Sequence, residues 1–279
     1  MDINENIKET HKILSERIET YIKAIKEVYG DYMDKENLQR LNQITKYQDH
    51  VIINENKQIN AYANNNGVYL PIEAYFVLND LQRHPVYGTN KNHKLYNDDT
   101  LIINDNTFYE YIEHVLLTGS TPLDYYEDLL LHETMHFCGS GGASAIKEGI
   151  NEYLTRKIAL KKEFRTNACG YPKEVKLVYE LEKIFGEDII NSIAFINNNE
   201  HLLDFLENQL GSNAKELYIS ILKITEKEFH QKYYNYMREY NGIQGIKQKA
   251  ENYEKIDYIE AYKLIADYKE KHLKKQKNQ

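Results

Sequence analysis

Apolar residues recur every three or four positions over the first thirty residues. This spacing predicts an amphipathic helix from about Glu5 to Tyr29, with Gly30 as a plausible stop. A second short helix is predicted from Lys35 to Ile44. The apolar stripe of the first helix consists of Ile7, Leu14, Ile18, Tyr21, Ile22, Ile25 and Val28.

The pattern changes to short apolar or alternating runs after residue 50. Strands are predicted at 51–53, 59–63 and 68–70, because these runs are separated by turn-forming clusters such as Asn64–Gly67. A helix at 74–82, a loop at 83–99, a strand at 101–103 and a helix at 107–117 are predicted to follow.

Helical spacing returns at Pro122 and continues almost to the last residue. Thr225 and Glu228 have the spacing of a capping box, which predicts the start of a helix that continues through Tyr240. A last helix is predicted from Ile246 to Leu273. Its apolar stripe would contain Tyr258, Ile259, Tyr262, Ile265 and Tyr268. The chain is therefore expected to be α+β and predominantly helical, with three segments at 1–48, 49–165 and 166–279.

Composition and charge exclude several classes of protein. The chain has 279 residues, of which 42% are hydrophobic and 28% charged, as in ordinary globular proteins. A formal charge of −8 argues against a nucleic-acid-binding protein. No apolar run is long enough to span a membrane, and residues 1–17 lack the apolar core of a signal peptide, so a cytoplasmic location is expected. Cys138 and Cys169 are too few for a disulfide scaffold and are expected to be reduced.

A candidate metal site lies on the helix predicted to begin at Pro122. His132 and His136 are four residues apart, so both imidazoles lie on one helical face and can bind a single zinc ion. Glu133 can reach a metal-bound water as a general base. The simpler alternative is two surface histidines and a salt-bridging glutamate. The apolar run Leu129–Leu131 predicts that this helix is buried. Histidine and glutamate side chains in a buried helix need polar partners, which makes the surface alternative less favourable.

A catalytic zinc ion needs a third protein ligand. In one known motif the third ligand is a histidine six residues after the second histidine. In this chain that position is Gly142, which has no side chain to bind the ion. The remaining candidates are Glu148 and Glu152, on a second helix that follows a glycine-rich turn. If that turn reverses the chain, helical rise places Glu148 about 7.5 Å along the return helix and Glu152 about 13.5 Å along it.

Glu148 is favoured on this geometry. His136 and His132 would lie about 4.5 and 10.5 Å back from the turn, so Glu148 is level with the gap between them. Glu152 is the alternative ligand, or would accept the other ring N–H of His132. Gly149 is expected to let the two helices approach each other closely.

The two-histidine helix followed by Glu148-Gly149 resembles the gluzincin superfamily of zinc metallopeptidases. Glu148-Gly149 with Tyr153 is similar to the aminopeptidase branch, whereas Ile150-Asn151-Glu152 is similar to the thermolysin-type third-ligand segment. The run from Asn60-Ala61-Tyr62-Ala63 to Leu70 resembles the Asn-Ala-x-Ala strand of minigluzincin-type peptidases, in which a sheet edge pairs with extended substrate.

This resemblance implies a zincin-like core at 49–165, with a small sheet before the active-site helix and a helical C-terminal part. It implies that His132, His136 and Glu148 bind Zn²⁺ and that Glu133 is the catalytic base for hydrolysis of a peptide or protein substrate. Two alternatives remain, a non-catalytic zincin-like zinc-binding scaffold and a protein-interaction module. The possible donors to the oxyanion are Tyr153, Tyr171, His201, His230 and Tyr233. The other histidines are expected at the surface: His11, His50, His84, His93, His114 and His272.

Overall fold

The computed structural model describes residues 3–54, 61–71, 122–141, 144–164, 170–230 and 252–273. These residues are mostly helical and include a small sheet, which confirms an α+β, predominantly helical fold. The elements predicted between residues 74 and 117 lie outside the described residues. The predicted division into three segments stays a prediction.

The helices are numbered in chain order. They are α1 (Ile3–Tyr29), α2 (Lys35–Gln43), α3 (Pro122–Phe137), α4 (Ala145–Lys162), α5 (Pro172–Phe185), α6 (Glu187–Phe195), α7 (Asn199–Leu210), α8 (Ser212–Phe229) and α9 (Ile259–Tyr268). Short 3₁₀ turns occur at Gly30–Tyr32 and Tyr47–His50, and a π turn follows α9 at Lys269–Leu273.

Helix α1 forms because one of its faces is apolar. Leu14, Ile18, Ile22 and Ile25 are buried, as the stripe predicts. The buried face packs against α3 and the first strand. His11 adds a polar contact to the same strand, with its Nε2 2.7 Å from the carbonyl oxygen of Val51.

Three strands form one sheet among the described residues: β1 (Val51–Asn54), β2 (Tyr62–Asn64) and β3 (Gly67–Pro71). The order is β1-β3-β2, so β3 is central. β1 runs parallel to β3, and β2 pairs with β3 as an antiparallel hairpin. Helix α3 packs against β2 and β3, so the sheet supports the helix that carries the histidines.

The chain divides into two compact units, each with its own elements. One contains α1, α2, the sheet, α3 and the part of α4 from Thr155. The other contains α4 up to Leu154 and the helices α5 to α9. In the second unit α8 packs against α7 and α9, and α5 packs against α6. Its core includes Leu181, Leu206, Ile221 and Ile265, all of them buried.

The predicted capping box at Thr225 is wrong. Thr225 lies inside α8, and its hydroxyl is 3.0 Å from the carbonyl oxygen of Ile221 and 3.1 Å from that of Leu222. A threonine hydroxyl can bond to the carbonyl four residues earlier, so the residue does not need to start a helix.

The last predicted helix is also wrong in part. A turn interrupts it before α9, and Tyr258 adopts a left-handed conformation with φ 50° at the start of α9. Ile259 is 51% exposed rather than part of a buried stripe, and the buried face of α9 contains Ala261 and Ile265. Within the described ranges, no helix is both long and apolar enough to cross a membrane.

Candidate metal site

Helix α3 is a buried helix, as its leucine run predicts. Leu130, Leu131, Met135 and Phe137 are all buried. The helix begins at Pro122, where proline is favoured because its missing N–H would be unpaired in any case. It ends at Phe137, and Gly139 follows with φ +102°, a conformation that favours glycine.

The motif side chains lie at the end of this helix. His132 and Glu133 are each 7% exposed, and His136 is half-buried. The two imidazole rings lie 4.8 Å apart between centroids and are inclined by 78°. The i, i+4 spacing therefore brings the rings side by side, in a setting that shields most of both from water.

Glu148 joins the two histidines. One ligand atom from each of His132, His136 and Glu148 lies within 4.8 Å of the other two, a group that could hold a metal ion. Ligand atoms of a tetrahedral zinc ion are about 3.4 Å apart, given zinc–ligand distances of about 2.0–2.2 Å.

Glu152 lies one turn further along α4. Its side chain is buried, whereas that of Glu148 is half-buried. Among the described residues, the group that could hold a metal ion contains Glu148 and not Glu152. A Cβ atom on Gly170 would lie 3.5 Å from Glu152 Oε2, so the carboxylate packs against the start of the next segment. Its predicted contact with His132 stays a prediction.

The first turn of α4 is fixed by polar contacts on both sides of Glu148. Ser144 caps the helix: its carbonyl oxygen accepts the N–H of Glu148 at 2.9 Å, and its hydroxyl lies 3.3 Å from the N–H of Lys147. A carboxylate oxygen of Glu226 lies 2.5 Å from the N–H of Ala145. The bonds to the N–H groups of Ala145 and Lys147 satisfy donors that a helix start leaves without intrahelical partners.

Lys147 is a buried lysine next to the candidate ligand. Its ammonium donates to the carbonyl oxygen of Ile193 and, at 3.0 Å, to that of Ile196. Burial lowers the pKa of Lys147 to about 8. Neither Lys147 nor Glu226 could be identified from the sequence, because their partners are 46 to 81 residues away.

Gly149 lies close to α5. Within its unit, a Cβ atom at this position would lie 2.5 Å from Glu174 Cβ, so the glycine permits close approach to α5. The expected close approach of α3 stays a prediction. The carboxylate of Glu174 is buried and accepts hydrogen bonds from Tyr253, at 2.6 Å, and Tyr258. Burial raises the pKa of Glu174.

Two side chains of α2 bind the C-terminal end of α3. Arg40 donates to the carbonyl oxygen of Phe137 and lies over its ring, 4.5 Å from the centroid. Asn37 donates to the carbonyl oxygen of Cys138 at 2.5 Å and accepts from Arg40. Arg40 also donates to the carbonyl oxygen of Asn65, in the β2–β3 turn, at 3.1 Å. A cation at this end is favourable, because helix C-termini carry unpaired carbonyls and partial negative charge.

The possible oxyanion donors occupy varied positions. Tyr153 hydrogen-bonds to Glu182, and its pKa is raised by burial first and by Glu182 second. His201 is exposed in the first turn of α7. His230 is 60% exposed, with Nε2 3.2 Å from Glu226 Oε2. Tyr171 precedes α5 in a left-handed conformation, and Tyr233 lies outside the described residues.

The remaining predicted surface histidines are only partly described. His11 and His50 are both half-buried, and His50 Nδ1 lies 2.8 Å from the carbonyl oxygen of Asn66. His84, His93 and His114 lie outside the described residues. The described cysteine, Cys138, is a buried free thiol.

Comparisons with protein-family models, with curated proteins and with solved structures found no match to this chain.

Proposed function

We propose that this protein is a zinc-dependent peptidase of the gluzincin type, with Zn²⁺ held by His132, His136 and Glu148. The observation that supports this most strongly is the convergence of the three ligand atoms within 4.8 Å. Two imidazoles and one carboxylate are a ligand set of catalytic zinc, which keeps its fourth position for water or substrate.

The proposed chemistry divides between the metal and Glu133. Bound zinc would polarise the peptide carbonyl and lower the pKa of a coordinated water to about 7. Glu133 lies next to His132 on α3 and is 7% exposed. Its carboxylate would take a proton from the attacking water and then deliver it to the departing amine nitrogen. A structural zinc site has no need of a base at this position, so Glu133 favours the enzyme over the non-catalytic scaffold.

The edge of the sheet is the proposed binding place for an extended substrate. β2 lies at one edge of the three-stranded sheet, and α3 packs against it. The rings of Tyr62 and Tyr69 stack at 4.3 Å across the hairpin, which holds the edge strand in register. In this proposal a peptide adds to that edge through main-chain hydrogen bonds. The strand predicted at 101–103, the other edge considered, lies outside the described residues.

The zincin-like core and the cytoplasmic location belong to the same proposal. α3 and α4 would form the active-site core on the small sheet, and the helices after residue 166 would form a C-terminal part. The substrate would be a peptide or a protein.

The replacement Glu133→Gln tests the proposal directly. The variant is expected to keep its zinc, because Glu133 is not a ligand, and to cleave peptides at least about 100-fold more slowly. Cleavage of a quenched fluorescent peptide library and zinc content by atomic emission should be measured on the same samples. Glu216→Gln, an exposed position on α8, is the matched control.

Two outcomes would contradict the proposal. If Glu133→Gln cleaves as fast as the parent, the assigned base is wrong. If the parent binds zinc but cleaves nothing in the library, the zinc-binding scaffold becomes the better description.

A further inference from the structure

The candidate ligand Glu148 lies in the first turn of α4. The first turn of a helix frays more readily than its interior, because the N–H groups of that turn have no hydrogen-bond partners within the helix. A metal ligand in this turn is held in place only as well as the turn itself. The contacts that fix residues 144–149 therefore bear on how well Glu148 can meet the ion.

The side chain of Lys147 restrains the backbone at the position immediately before Glu148. It is 7% exposed, and its ammonium donates to the carbonyl oxygens of Ile193 and Ile196. These carbonyls are at the C-terminal end of α6, where a cation is favoured. A buried ammonium without such acceptors would be costly, so the contact restrains the backbone at position 147.

Glu226 fixes the residue three positions before Glu148. Its Oε1 accepts the N–H of Ala145 at 2.5 Å, and its other carboxylate oxygen lies 3.2 Å from His230 Nε2. Glu226 is on α8, so the bond joins the start of α4 to a different helix from the one that Lys147 reaches. Two independent contacts thus hold the same turn.

We propose that Lys147 and Glu226 are positioning residues that set the affinity of the site for zinc by fixing the turn that carries Glu148. This proposal rests on the zinc site proposed above and does not require peptidase activity. If either contact is lost, a smaller fraction of the protein holds Glu148 in the binding-competent position. The apparent dissociation constant for zinc rises in proportion. Groups that hydrogen-bond a metal ligand directly change metal affinity by about 10- to 100-fold, and we expect contacts that act through the backbone to reach the lower end of that range.

The experiment measures the zinc dissociation constant of the full-length protein by competition with a chromophoric chelator. Lys147→Met and Glu226→Ala are each expected to raise it at least about tenfold. Lys173→Met is the matched control for the lysine, because Lys173 also donates to backbone carbonyls, those of Tyr253, Glu254 and Ile256, at 2.7 to 2.8 Å. Glu216→Ala, at an exposed position on α8, is the control for the glutamate.

Unfolding of the metal-free proteins by urea separates positioning from a general loss of stability. A positioning role requires that Lys147→Met weakens zinc binding more than Lys173→Met does at comparable loss of stability. If Lys147→Met does not fold, Glu226→Ala alone decides, because Glu226 is partly exposed and its replacement leaves no buried charge.

Three results would overturn the inference: folded variants whose zinc dissociation constants stay within twofold of the parent, a Lys173→Met variant that weakens binding equally, or a parent that binds no zinc. A parent that binds zinc but cleaves no peptide refutes the proposed function and leaves this inference intact.

Discussion

Gly149 is the position at which one added methyl group gives the clearest test of the packing around the candidate site. The expected loss on Gly149→Ala follows from two opposing effects. Alanine in a helix is favoured over glycine by about 1 kcal/mol. Against this, the new Cβ would lie 2.5 Å from Glu174 Cβ, 3.0 Å from its carbonyl carbon and 3.2 Å from its Cα.

The clash is expected to exceed the helix-propensity gain. Two of the three close atoms are backbone, so rotation of the Glu174 side chain cannot remove the overlap, and α4 and α5 must move apart. Overpacking of this kind costs about 1–3 kcal/mol. Taking the upper part of that range and subtracting the gain leaves a net loss of about 2 kcal/mol in the free energy of unfolding.

Urea denaturation followed by circular dichroism on metal-free protein would measure this loss. Gly30→Ala is the matched control, since a Cβ atom there meets nothing within 4 Å. The control is expected to change stability by less than about 1 kcal/mol. If Gly149→Ala is as stable as the parent, or more stable, the close approach of α4 and α5 at Glu174 is wrong.

Three further predictions concern groups around the site. Arg40→Met should reduce the free energy of unfolding by about 2 kcal/mol. Arg40→Lys should restore less than half of that lost free energy, because lysine lacks the planar guanidinium that contacts Phe137 and its neighbours. If the Arg40→Lys variant is as stable in urea as the parent, this prediction is wrong. Burial raises the pKa of Cys138 to about 12. In a Cys169→Ser variant, Cys138 should therefore react with a maleimide only when the protein unfolds. Rapid labelling of the native protein would contradict this by showing that the thiol is accessible. Burial raises the pKa of the Glu174 carboxyl above its ordinary 4.5. The native state therefore binds the carboxyl proton more tightly than the unfolded state does. The contribution of Glu174 to the free energy of unfolding should consequently fall as the pH rises above about 4.5. The stability difference between parent and Glu174→Gln, measured from pH 4 to 8, should follow that fall, and a difference independent of pH would contradict it.

Features set by local sequence could be predicted. The stripe of α1 follows from helical periodicity, and the start of α3 follows from proline at its first position. The β2–β3 hairpin follows from the asparagine-glycine turn between two apolar runs. Helical rise also singled out Glu148 over Glu152, and Glu148 is the one of the two that belongs to the group that could hold a metal; its role as a ligand stays a prediction.

Features that depend on distant partners could not be predicted. Three contacts near the site join residues that lie 46 to 97 positions apart, and no local pattern marks them. They are the hydrogen bonds of Lys147 to its acceptors, the bond from Ala145 to Glu226 and the contact of Arg40 with Phe137. Thr225 shows the opposite difficulty. Its spacing to Glu228 matches a capping box, but within α8 the hydroxyl bonds to earlier carbonyls instead.

Zinc stoichiometry at equilibrium tests the central claim most directly. After dialysis against buffered free zinc, the parent is expected to retain one zinc ion per chain, and a variant with both His132→Ala and His136→Ala is expected to retain none. Glu148→Ala should bind zinc more weakly than the parent by at least an order of magnitude, whereas the exposed-site variant Glu216→Ala should bind it equally well. A parent that retains no zinc, or a double-histidine variant that retains as much as the parent, would contradict the account.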